Sequence, residues 1–126
     1  MSIPKKILMV GTVDIMDVLS ALTELDILIA ANYAEAITKM GKTKFDRIIT
    51  DAVLPDQKSG LDILYYTRNT LPEAKVVVCH PEESCYINNR TWYIASFLKA
   101  HFPKAVFMKK SASRHLSELL PLRKCA

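Results

Sequence analysis

Five short apolar runs punctuate the chain: Ile7 to Val10, Ile27 to Ala31, Arg47 to Thr50, Lys75 to Cys79 and Ala105 to Met108. They are rich in Val and Ile, continuous rather than alternating, and only a few residues long. That is the pattern of parallel strands buried on both faces. The text between them carries helical spacing. Ile15, Val18, Leu19, Leu22 and Leu25 recur at three and four residues. A second helix is predicted from about Tyr33 to Met40, stopping at Gly41 as a C-terminal glycine. A third starts near Ser59-Gly60, carries Leu61, Leu64 and Leu71 on one side, and ends before Pro72. A fourth is predicted over Asn88 to His101 with Ile94, Phe97 and Leu98 as its stripe, and a fifth follows Ser111 with Leu116, Leu119 and Leu120.

The order is βαβαβαβαβα. Strands alternating with helices imply an α/β domain, a parallel sheet with five helices on its two faces. Right-handed crossovers leave few ways to wind it, and the flavodoxin-like order 2-1-3-4-5 is the common one for five strands. In such sheets the site lies at the carboxyl ends of the strands, near the switch in strand order. That rule points to Gly11 to Asp14, Asp51, His80 and Lys110.

Length and composition add bounds. The chain has 126 residues, half of them hydrophobic and 24% charged, which suits one globular domain, residues 1–126. No apolar run approaches the roughly 20 residues of a membrane helix, and the start, Met1 to Lys6, does not read as a signal peptide. The expected location is the cytoplasm. Cys79, Cys85 and Cys125 have no framework spacing, and Cys79, Cys85 and His80 lack a fourth ligand at a zinc spacing. Three glycines form neither a phosphate-cradling loop nor a dinucleotide fingerprint. Net charge is +4, with Lys104, Lys109, Lys110, Arg114, Arg123 and Lys124 late in the chain. No nucleic-acid-reading module accompanies them, so they read as a solvated basic face.

Asp51 closes the third strand, where a carboxylate either faces the cleft or serves as a strand-end turn residue. The segment Asp51-Ala52-Val53-Leu54-Pro55, then Gly60-Leu61-Asp62-Ile63-Leu64, resembles the phosphoacceptor segment of response-regulator receiver domains. The likeness continues through Leu71 to Val78. Phe107-Met108-Lys109-Lys110-Ser111-Ala112-Ser113 is similar to the end of the family's fifth strand, where an aromatic residue, two more residues and a Lys precede Asp-Ala-Ser. The resemblance implies that Asp51 is the phosphoacceptor, that Lys110 (with Lys109 as rival) pairs with the phosphoryl group, and that Phe107 takes the place of the switch aromatic. A carboxylate nucleophile can form an acyl phosphate, and the added charge can bias a two-state loop.

The sequence also departs from the family's pattern. The family has two adjacent acids after the first strand that help hold Mg²⁺; here Gly11-Thr12 stand there. Mg²⁺ binds through carboxylates and waters, and phosphoryl transfer depends on its charge neutralisation. Asp14 lies a little further on, as a weak metal candidate beside Asp51 or as a cap of the first helix. Where the family has Thr or Ser after the fourth strand, this chain has His80. The loop between Pro55 and Gly60 is about one residue longer than usual, and several extra residues fall in Pro81 to Arg90.

In the family the face of the fourth helix, fifth strand and fifth helix is a common output and dimerisation surface. Here it would carry Tyr86, Arg90, Trp92, Tyr93, Lys109 and Arg114, with Trp92, Tyr93 and Arg114 as binding anchors; Trp92 and Tyr93 can equally pack onto the sheet. Two readings result. One is an atypical receiver, not an enzyme, that docks to a histidine kinase, a downstream signalling protein or a second copy, with phosphorylation at Asp51 impaired or absent and no cofactor. The other is a working receiver phosphorylated on Asp51 by a histidine kinase with Mg²⁺. Neither involves nucleic acid or a membrane.

Overall fold

The computed structural model describes residues 6–11 and 26–109. In chain order their elements are β1 (Lys6–Val10), β2 (Asp26–Ala30), α1 (Tyr33–Lys42), β3 (Arg47–Asp51), α2 (Gly60–Thr70), β4 (Lys75–His80), β5 (Ser84–Ile87), β6 (Arg90–Tyr93), α3 (Ile94–His101) and β7 (Val106–Lys109). The first and fifth expected helices fall outside the described residues.

Five strands form one parallel sheet in the order β2-β1-β3-β4-β7. With β7 as the fifth strand of that sheet, this is the expected 2-1-3-4-5 winding. The register sets Met9 beside Ile29 and Ile49, Asp51 beside Cys79, and His80 beside Lys109. Side chains on a strand alternate between faces. One set, Leu8, Val10, Ile48, Val76 and Val78, packs with Ala36, Met40, Ile63, Leu64 and Leu98 from the helices. The alternate set, Ile7, Met9, Ile49, Val77 and Cys79, is buried as well. Both faces are therefore apolar along β1, β3 and β4, which is why these strands read as hydrophobic runs, whereas Leu28 and Ile29 of the edge strand β2 are exposed.

Local signals fix the helix ends. Asn32 caps α1, its side chain accepting from the Glu35 N–H at 2.8 Å, while Glu35 Oε1 accepts from the Ala31 N–H at 2.9 Å. The helix runs through Gly41 and closes at Thr43, whose N–H donates to the Lys39 carbonyl; Gly41 is an interior residue of the last turn rather than its terminator. Ser59 and Asp62 form a capping box at the start of α2. Pro72 follows its end as expected, and Gly60, Ile63, Leu64 and Thr67 are its buried residues, with Leu61 and Leu71 partly buried against the core.

The stretch from 84 to 93 departs from expectation. It is an antiparallel hairpin, β5–β6, pairing Cys85 with Trp92 and Tyr86 with Thr91. Asn88 and Asn89 form its turn at φ of 51° and 64°, the left-handed pair that a two-residue hairpin turn needs and that Asn tolerates. The helix expected over Asn88 to His101 is therefore only α3, from Ile94 onward, and its stripe of Ile94, Phe97 and Leu98 is retained.

Candidate functional site

Asp51 ends β3 at the carboxyl edge of the sheet and is only 5% exposed. Several neighbouring groups define the floor around it. The Ala52 N–H donates to the Cys79 carbonyl at 2.9 Å, locking the exits of β3 and β4 together. The Thr50 hydroxyl donates to the Asp51 carbonyl at 3.0 Å. Gly60, the first residue of α2, donates to the Ala52 carbonyl at 2.8 Å, and a Cβ there would stand 2.9 Å from the Asp51 carbonyl oxygen. The absence of a side chain at Gly60 is what lets α2 start against the β3 exit.

Gly11 leaves β1 with φ of +119°, its N–H donating to the Ala30 carbonyl at 2.9 Å. A Cβ on Gly11 would overlap Oδ2 of Asp51 and lie 2.7 Å from its Cγ. The Asp51 carboxylate thus fills the volume that any side chain at position 11 would need. This is the position where the receiver resemblance expects an acidic residue. The described residues do not fit the Mg²⁺ site implied by that resemblance, because position 11 has neither a ligand nor space for one. Thr12 and Asp14 lie outside the described residues.

The loop from Ala52 to Ser59 is tied down at several points. The Leu54 N–H donates to the Lys58 carbonyl, Val53 bridges to Ser59, and Gln57 takes φ of 64°. Asp56 is engaged at the start of α1: its carboxylate accepts from the N–H groups of Tyr33 and Ala34 at 3.2 and 3.1 Å. It serves as a second cap for α1, where orphan N–H groups and the helix dipole favour an anion. The Lys58 ammonium sits 5.4 Å from the Tyr33 ring centre, adding a cation–π contact. Burial and the nearby Asp62, Tyr66 and Asp56 push the Tyr33 hydroxyl above its ordinary pKa. Sequence reasoning missed the role of Asp56, since nothing local links it to a helix more than 20 residues earlier.

The remaining site residues divide. His80, half-buried at the end of β4, stands in register with Lys109. The Lys109 ammonium lies 3.9 Å from a Glu83 carboxylate, both well exposed, so the pair contributes little. Phe107 is half-buried beside Val78 and packs on the core. Lys110 and Arg114 fall outside the described residues. Trp92 is 6% exposed and meets Phe97 edge to face at 5.9 Å between ring centres, so it is a core residue and not an exposed anchor. Tyr93, 64% exposed, keeps its place on the surface, and Tyr86 at 69% joins it. The cross-strand pairing puts Ser84, Tyr86, Thr91 and Tyr93 on one face of the hairpin and Cys85, Ile87, Arg90 and Trp92 on the other.

No protein-family model and no curated protein matches the sequence. Solved structures do match. A CheY-like response regulator receiver domain protein from Methanospirillum hungatei JF-1 aligns over 96% of this chain and 94% of its own, at 22% identity and a TM-score of 0.73. The Salmonella typhimurium RcsB response regulator aligns over 98% of this chain at 15% identity and a TM-score of 0.70; the chain spans 60% of it. A Burkholderia pseudomallei response regulator, solved with a phosphorylated aspartic acid, calcium ion and citrate, aligns over 82% of this chain and 59% of its own, at 20% identity and a TM-score of 0.61. What this chain shares with them is the CheY-like, flavodoxin-type fold.

Proposed function

We propose that this chain is an atypical receiver module of two-component signal transduction that works by docking to a protein partner, with phosphorylation at Asp51 impaired or absent. The observation that carries the reading is that the Asp51 carboxylate lies where a Cβ on residue 11 would stand. A phosphoacceptor needs an accessible carboxylate oxygen and a cation to neutralise the charge of transfer. Asp51 is almost fully buried, and its oxygen occupies the volume a metal-binding side chain at position 11 would require. Docking calls for no metal or other cofactor. The partner is a histidine kinase, a downstream signalling protein or a second copy of the chain, and the exposed tyrosines of the β5–β6 hairpin offer rigid amphipathic contacts for it. In this role the chain is a cytoplasmic signalling protein and not an enzyme.

A second reading, a working receiver phosphorylated on Asp51 with Mg²⁺, draws on one specific feature. Asp51 ends a strand at the cleft edge, and the similarly folded Burkholderia protein carries a phosphorylated aspartic acid. Intact mass after incubation with acetyl phosphate and Mg²⁺, beside an Asp51→Asn control, separates the two. The expected result is no phosphoryl adduct on a folded protein. An adduct that depends on Asp51 would overturn the docking-only reading and require another residue to supply the missing ligand, with Asp14 the first to test.

A further inference from the structure

The sheet edge opposite Asp51 carries a cavity of about 270 Å³ that takes no part in the receiver reading. It opens where two helices stop side by side. α2 closes at Leu71, whose N–H donates to the Thr67 carbonyl at 2.7 Å, and α3 closes at Phe102, whose N–H donates to the Leu98 carbonyl at 2.7 Å. Pro72 and Pro103 follow at once and prevent either helix from continuing. The space beyond the two ends is floored by Leu64, Leu71, Val76, Phe102 and Ala105.

The mouth is chemically one-sided. Among the described residues, Arg68, His101 and Lys104 line it and no carboxylate does. The Arg68 guanidinium is held over the rings of Tyr65 and Phe102, at 5.0 and 4.9 Å from their centres, so its position is set before any ligand arrives. The two helix C-termini oppose an anion, but with only about half a negative charge each. Arg68 and Lys104 bring two full positive charges, and the cations prevail. The adjoining hollow under Phe45 and Thr70 differs, for Asp46 and Glu73 line it beside Lys44; an anion is directed to the Arg68 and Lys104 side.

Size limits the ligand further. An apolar cavity of about 150 Å³ accepts a benzene ring, while pockets for drug-sized ligands start at roughly 300 Å³. We propose that this cavity binds a small apolar molecule carrying one carboxylate, of the class of medium-chain or aryl-alkanoic acids, with its tail on Leu64, Val76 and Phe102 and its carboxylate between Arg68 and Lys104. The site is independent of Asp51 and of phosphorylation.

The test is a titration of the ¹⁵N-labelled full chain followed by two-dimensional NMR, with octanoate, octan-1-ol and acetate as probes. Octanoate is expected to shift the amides of Arg68, Leu71, Ala74, Phe102, Lys104 and Ala105 saturably, and to bind more tightly than octan-1-ol; acetate is expected not to bind. Lys104→Gln, a surface change that leaves the fold intact, is expected to weaken octanoate about fivefold, the worth of one exposed ion pair, and to leave octan-1-ol unchanged. Filling the cavity with Ala105→Leu is expected to weaken both. Equal affinity for octanoate and octan-1-ol, or shifts gathered at the β5–β6 hairpin, would overturn the proposal. So would an acidic, aromatic peptide saturating these amides while octanoate does not, which would make the site a protein-docking pocket.

Discussion

Gly11 and Asp51 compete for one volume, and that competition can be measured. Gly11→Ala adds a Cβ onto the Asp51 carboxylate and forces a side chain into the left-handed region at φ of +119°. Strain and overlap together are expected to cost at least ~2 kcal/mol of stability, read from urea denaturation. Part of that cost belongs to the contact alone. In an Asp51→Ala background the carboxylate is gone, leaving the backbone strain and the 3.1 Å approach to the Cβ of residue 51, so the cycle is expected to show a coupling of about 1 kcal/mol or more. Additive single effects would mean the two residues are not in contact, and the argument against a metal ligand at position 11 would lapse. Cys85 supports a second residue-level prediction. Burial pushes its thiol above the ordinary value, so the folded state keeps the proton to higher pH than the unfolded state. That stability is fully present below the unfolded thiol's pKa of about 8.5 and is lost as pH rises through the folded value. Tyr33 is also raised, but from an ordinary value of 10.0, so its own contribution is lost only above about pH 10. Melting temperature is therefore expected to fall between pH 8 and 10, and to fall less in Cys85→Ala.

Among the elements, the β5–β6 hairpin most strongly distinguishes this chain from the plain βα alternation. Its turn requires two consecutive left-handed residues, Asn88 and Asn89. A β-branched residue cannot take that conformation cheaply, so Asn89→Val is expected to cost about 1–2 kcal/mol. Asn89→Gly, which makes the favoured Asn-Gly turn, is expected to be no less stable than the original; equal denaturation midpoints for the two variants would refute the turn assignment. The hairpin also explains where the sequence was legible and where it was not. The central parallel strands announce themselves because both their faces are buried and nearly free of polar positions, Thr50 being an exception, as in Val76, Val77 and Val78. The start of α2 announces itself through Ser59, Gly60 and Asp62, a capping signal confined to four residues. In the hairpin, Trp92 and Cys85 face inward while Tyr86 and Tyr93 face out. That alternation is short, and Ile94, Phe97 and Leu98 just after it carry genuine helical spacing that extends backward by eye. The Asn-Asn pair between two alternating four-residue segments was the available signal. At the site, Asp51 was legible from its position at a strand end, but the filled volume over Gly11 was not, because a positive φ and a cross-strand overlap are tertiary facts.

At the scale of the whole molecule, the question is whether the hairpin is an appendage or part of the cooperative unit. An isolated two-stranded hairpin is marginal in water, and β5–β6 pairs with no other strand among the described residues. Two features join it to the rest. The Ile94 N–H donates to the Glu83 carbonyl at 3.1 Å, which closes the base of the hairpin onto α3. Trp92 is buried in the same apolar cluster as Ile94, Leu98 and Val78. Trp92 is also the single tryptophan in the sequence, so its fluorescence reports hairpin docking directly, while far-UV circular dichroism reports the sheet and helices. The two denaturation curves are expected to coincide, as they do when one cooperative unit unfolds. Trp92→Ala is expected to cost about 3–5 kcal/mol and to strip amide-exchange protection from 84–93 more than from β3 and β4. Trp92→Phe is expected to cost far less: it keeps an aromatic edge toward Phe97 and removes a buried indole N–H that has no acceptor among the described residues. A fluorescence transition that clearly precedes the circular-dichroism one would instead make the hairpin a separately opening unit. Tyr86 and Tyr93 would then form a surface available only in part of the population, and any partner would bind with its affinity reduced by that fraction.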